Sequence, residues 1–72
     1  MARTRIGLIG CGRILKKHLD ALDEQAAIAE LVAVCDLDEG KAASAGTLAG
    51  VPHFTDFRVM LGAVDCDLVG VL

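Results

Sequence analysis

The chain has 72 residues, about half of the ~100–200 that make an ordinary domain. Its composition is 54% hydrophobic and 24% charged, with eight glycines against two phenylalanines, which fits aliphatic strands under close-packed helices and excludes a disordered tail. A net charge of −3 leaves no electrostatic footprint for nucleic acid, and no stretch approaches the ~18 apolar residues of a membrane span, so neither partner is expected.

Arg5–Ile9 is a short apolar run and predicts a buried strand. From Arg13 to Glu24 the period changes. Ile14, Leu15, His18, Leu19 and Leu22 recur at helical spacing, with Lys16, Lys17, Asp20, Asp23 and Glu24 on the other face. On this reading His18 packs within the apolar face, and the two lysines belong to a solvated one. Leu31–Cys35 predicts a second strand, closed by Asp36. Asp38–Ala49 is alanine-rich and helical, with Asp36 or Asp38 as its cap and Gly50 as its stop. Val51–Thr55 predicts a third strand, which Pro52 pushes toward a sheet edge. Asp56–Leu61 predicts a brief helix ended by Gly62, and Asp67–Leu72 a fourth strand that reads as central. The order β-α-β-α-β-α-β implies a parallel sheet covered on both faces.

The cysteines at 11, 35 and 66 form no Cys-x-x-Cys, so neither a zinc ribbon nor a redox pair is supported, and His53 has no ligand-spaced neighbour to suggest a metal. Reduced, mostly buried thiols in a soluble cytoplasmic protein are expected. The apolar run after Arg3 and Arg5 is too short and too broken by Gly7 and Gly10 for a signal peptide.

The chemistry lies where the first strand meets the first helix, at Gly10-Cys11-Gly12-Arg13-Ile14-Leu15. Gly10 permits the tight turn, and Gly12 lets the backbone approach a pyrophosphate. The amides of the first helical turn, around Gly12, Arg13 and Ile14, then point at the phosphates, and the helix dipole favours the anion. The third glycine of G-x-G-x-x-G is replaced by Leu15, which implies a slightly displaced helix. Asp36 follows Gly12 by 24 residues, close to the ~20 expected of the carboxylate that accepts the adenosine ribose hydroxyls. The candidate cofactor-binding residues are therefore Gly10, Cys11, Gly12, Arg13, Ile14 and Asp36. Cys11 reads as a spacing residue, although a helix N-terminus can lower a thiol pKa. NAD is expected over NADP, because Asp36 would repel a 2′-phosphate and Lys41, the nearest following cation, reads as solvent-facing. Gly7 and Gly12 also have P-loop spacing, but Arg13 and Ile14 stand where Lys and Ser or Thr are needed. A methyl-donor domain usually has an acidic residue before its glycines, where this chain has Leu8 and Ile9.

Ile6–Ile14, Lys17-His18, Leu31–Asp36, Phe54–Phe57 and Asp65–Val69, taken in order, resemble the opening of the Gfo/Idh/MocA oxidoreductases across essentially the whole chain. Leu15 departs from that family, where the position is most often small. The resemblance implies the first half of a doubly wound α/β (Rossmann) sheet. It also implies residues 1–72 as a partial N-terminal dinucleotide-binding domain, without the rest of that domain or the substrate domain. It further implies an NAD-dependent dehydrogenase moving a hydride at a sugar, sugar-nucleotide or inositol-like hydroxyl, in a homo-oligomer. The family's Thr/Ser-Pro loop and the lysine of its Glu-Lys-Pro motif would lie beyond Leu72, so no catalytic residue is assigned here. The alternatives are a non-enzymatic dinucleotide-binding sensor on the same fold and a methyltransferase.

Overall fold

The computed structural model describes residues 3–12 and 15–72. Its elements are β1 (Thr4–Ile9), α1 (Leu15–Glu24), β2 (Ala29–Cys35), α2 (Glu39–Ala49), β3 (His53–Phe54), α3 (Phe57–Ala63) and β4 (Leu68–Val71). The strands form one parallel sheet in the order β3-β2-β1-β4. Parallel neighbours require crossovers, and each helix supplies one.

Side chains alternate across a strand, and this alternation builds two cores. Leu8 and Val34 face α1 and α2 and pack with Cys11, Leu15 and Ala45. Ala33 and Cys35 face α3 and pack with Met60, which is fully buried. The sheet is thus covered on both faces, as the alternating sequence pattern predicts. A register shift after Ile6 skips Val32, so that Gly7 pairs with Ala33.

Each boundary has a local cause. Asp38 accepts the Lys41 N–H at 3.1 Å and caps α2, while Gly50 ends that helix at φ +70°. Asp56 accepts the Arg58 N–H at 2.9 Å and caps α3. Gly62 does not end α3. The helix runs on to Ala63, and the Val64 N–H closes it on the Met60 carbonyl at 3.0 Å. Gly62 keeps a negative φ, so its presence alone breaks nothing. β2 starts two residues earlier than its apolar run, because Ala29 and Glu30 pair with Thr4 and Arg5.

β3 lies at a sheet edge, as expected, but holds only His53 and Phe54 of the expected Val51–Thr55; Pro52 precedes it, and its carbonyl accepts the Val34 N–H at 3.1 Å. β4 reads as a central strand in sequence but forms the other edge of these four strands, with Leu68 and Val71 exposed. Among the described residues no helix is long and apolar enough to cross a membrane.

Candidate functional site

In a parallel sheet all strands end on the same side. Ile9 pairs with Cys35, so the turn after β1 and the residue after β2 are neighbours. Gly10 leaves β1 at φ +97°, a conformation that a side chain strains, and a Cβ there would stand 3.2 Å from the Leu72 carbonyl oxygen. Three hydrogen bonds then staple the turn to the end of β2. The Gly10 N–H donates to the Cys35 carbonyl at 2.8 Å, the Cys11 N–H to Asp36 Oδ2 at 2.7 Å, and the Cys11 thiol to the Cys35 carbonyl at 3.4 Å.

Gly12 is exposed, and among the described residues a Cβ on it would meet no heavy atom within 4 Å. Its carbonyl accepts the Leu15 N–H at 3.1 Å as α1 begins. Leu15, in the place of a third glycine, is buried against Leu8 and Val34, so the position serves the core with bulk. Gly10, Cys11, Gly12 and Asp36 therefore come together. Arg13 and Ile14, the other two expected residues, lie outside the described residues.

Asp36 is half-buried and does not cap α2, since Asp38 does. Its Oδ1 accepts the Asp38 N–H at 2.8 Å, while Oδ2 holds Cys11. The Cys11 amide, then the Asp38 amide, hold its carboxyl below the usual carboxylate range, and the Lys41 charge adds to them. Lys41 is exposed, as expected, yet its charge reaches Asp36.

The Cys11 thiol moves the other way from a helix-activated cysteine. Burial, then the charge of Asp36, push its pKa up. Cys11, Cys35 and Cys66 are all free.

One expectation outside the turn is corrected. His18 is exposed, because the stripe turned to the sheet is Leu15, Leu19 and Leu22 and His18 falls on its flank. His53 has a carboxylate neighbour that sequence distance hides, Glu39 Oε1 at 3.2 Å. Lys16 and Lys17 are exposed on α1, in keeping with a solvated face.

A feature missed in the sequence is a groove of about 500 Å³ beside Asp36, between Ile9, Cys35 and Leu37 on one side and Asp56, Phe57 and Arg58 on the other. The signal was present in Thr55-Asp56. A cap there starts α3 at the same end of the sheet as the glycine turn.

Residues 4–72 match the oxidoreductase family described by its NAD-binding Rossmann fold, Gfo/Idh/MocA. Among curated proteins, inositol 2-dehydrogenase 3 of Saccharopolyspora erythraea is 35% identical over 66 residues, 92% of this chain and 20% of that protein. Among solved structures, the WlbA dehydrogenase of Bordetella pertussis, in complex with NADH and UDP-GlcNAcA, superposes with a TM-score of 0.92 at 33% identity over 97% of this chain and 21% of that one. The scyllo-inositol dehydrogenase of Lactobacillus casei, with bound NAD(H) and scyllo-inositol, gives 0.82 at 28% identity over 99% of this chain and 21% of that one. The chain spans about a fifth of the length of these relatives.

Proposed function

The chain belongs to the Gfo/Idh/MocA oxidoreductase family, and from that premise we propose that residues 1–72 are the opening part of a dinucleotide-binding domain that holds NAD(H). The observation that carries this reading is a carboxylate at the end of β2 with an open, side-chain-free backbone position beside it. Asp36 accepts one amide on each oxygen and so keeps acceptor capacity on both. Gly12 offers backbone with no described heavy atom within 4 Å of where a side chain would stand.

A nicotinamide dinucleotide fits these residues. Gly10 makes the turn, and Cys11 anchors it through an amide on Asp36 and a buried thiol. Gly12, with the amides of Arg13 and Ile14, takes the pyrophosphate. Asp36 accepts the adenosine ribose hydroxyls, and the groove between Leu37 and Phe57 suits the flat adenine ring. When bound, the cofactor supplies the hydride chemistry, and these residues bind and orient it. The named relatives support a substrate that is a sugar, a sugar nucleotide or an inositol, dehydrogenated at a hydroxyl. The three free thiols accord with a reducing, cytoplasmic setting.

The same carboxylate sets cofactor choice. NAD presents two ribose hydroxyls to Asp36, whereas NADP presents a 2′-phosphate of like charge. Lys41 offsets part of that repulsion, and Asp38 and Glu39 add to it. NAD is preferred by about tenfold or more, at least ~1.4 kcal/mol. The test is the pair of dissociation constants for NADH and NADPH at one salt concentration, in wild type and in Asp36→Ser, whose neutral side chain narrows the ratio. Equal wild-type affinities, or a ratio unmoved by the substitution, would overturn the assignment of Asp36.

A further inference from the structure

The contacts of Asp36 reach past the ribose. A carboxylate has roughly four acceptor sites, and two of those on Asp36 are occupied before any ligand arrives. One holds the Cys11 N–H at 2.7 Å, inside the glycine turn, and the other holds the Asp38 N–H at 2.8 Å, on the way into α2. Cys11 is fixed on its other side, with its thiol on the Cys35 carbonyl and its side chain in the core with Leu8, Leu15, Val34 and Ala45. Gly12, the next residue, has only its backbone to place it.

We propose that Asp36 is a positioning residue for the glycine turn: by accepting the Cys11 N–H it sets the shape of the phosphate-facing backbone at Gly12, and so couples the ribose and pyrophosphate halves of the site through one side chain. This rests on the dinucleotide reading above and deepens it. A role confined to the ribose would leave the turn unaffected when Asp36 changes. The positioning role requires an anionic or otherwise accepting atom opposite Cys11. Alanine at this position offers no accepting atom, so the Cys11 and Asp38 amides both lose their partner.

The two roles separate with a probe that carries no ribose. Inorganic pyrophosphate cannot touch Asp36 through hydroxyls, and removing the Asp36 charge would by itself help an anion bind. If Asp36 acts on the ribose alone, pyrophosphate affinity in Asp36→Ala stays level or rises. If Asp36 positions the turn, that affinity falls severalfold although a negative charge has been removed. In the same protein the Cys11 amide proton exchanges with solvent about tenfold faster or more, the loss of one charge-assisted hydrogen bond, while the Val34 amide, bonded to Pro52 within the sheet, keeps its wild-type rate.

A measurement on the wild type alone guards against a variant that does not fold. The Cys11 amide proton resonance should shift as acid protonates Asp36, with a midpoint below the ordinary carboxylate value. Around Asp36 stand Lys41, the Cys11 and Cys35 thiols, whose pKa values burial pushes up, and Asp38, whose own cap partner is the Lys41 amide. A Cys11 resonance that ignores acid, or exchange and pyrophosphate affinity both unmoved in Asp36→Ala, overturns the proposal. Wild type that binds neither NADH nor pyrophosphate would instead fail the dinucleotide reading. The Cys11 exchange rate would then still decide whether Asp36 holds the turn.

Discussion

At the amino end of the sheet charge is matched by charge, whereas at the glycine turn of the carboxyl end the main chain is held by main chain and by one carboxylate, Asp36. Arg3 pairs with Glu30, Arg5 lies 3.8 Å from both Glu30 and Asp65, and the Arg5 N–H reaches Asp67 Oδ2 at 2.9 Å. A groove of about 410 Å³ opens at this end, lined by Arg3, Lys16, Asp20, Asp23 and Glu30 among apolar neighbours. Two cations face three carboxylates there, so the volume offers an anion no net attraction. At the other end Gly10 and Cys11 donate to Cys35 and Asp36, and no cation is salt-bridged to Asp36 among the described residues. What separates a ligand site from a surface groove here is unmatched hydrogen-bonding capacity on a rigid frame, and size does not decide it.

The largest effect is expected of Gly12→Val. A Cβ on Gly12 would meet no described heavy atom within 4 Å, so the valine side chain starts in open space. It does stand where the proposed pyrophosphate approaches. NADH affinity should fall well over tenfold, about 1.4 kcal/mol or more, with the melting temperature unchanged within a degree or two. Fluorescence titration of NADH and thermal melting measure the two sides. Unchanged affinity in a folded variant would remove this turn from the site.

Gly10→Ala is the converse, two residues away. Its φ of +97° strains any side chain, and the new Cβ would press on the Leu72 carbonyl at 3.2 Å. The cost falls on the fold, roughly 1–3 kcal/mol, and denaturant unfolding reads it directly. A variant as stable as wild type would mean that the turn relaxes freely, and the stapled end would then be no more rigid than an ordinary loop.

These contrasts also mark what the sequence could disclose. All seven elements were legible because each is written in its own pattern or cap: the apolar run Leu31–Cys35, the stripe Leu15, Leu19 and Leu22, and the stop at Gly50 with φ +70°. Asp36 was legible as an acidic residue closing a strand. Its bond to the Cys11 N–H was not, because it joins positions 25 apart and depends on Ile9 lying beside Cys35. The same limit hid Glu39 from His53 and the second wall of the groove, which α3 brings from beyond β3. His18 was misread for a smaller reason. Its helical spacing is compatible with the apolar stripe, but the side chain lies on the stripe's flank and only packing decides which flank is covered.

The smallest effect is expected at the amino end. Glu30 is the hub of the ion pairs there, touching both Arg3 and Arg5. Its side chain is 33% exposed, and those of Arg3 and Arg5 are 45% and 42% exposed, so water and salt screen what the geometry offers. Glu30→Gln removes the charge and keeps the shape. Arg3 retains its bond to the Ala26 carbonyl at 3.1 Å, and Arg5 retains its amide on Asp67 and its contact with Asp65. The loss should be about 0–1 kcal/mol, shrinking further as salt rises, with NADH affinity untouched because the ion pairs lie at the far end of the strands from Asp36. Urea unfolding at low and high salt, paired with the same NADH titration used for Gly12→Val, checks both halves. A large, salt-independent loss of stability would show that this end is held as a buried network. A loss of NADH affinity would show that the two ends of the sheet are not independent.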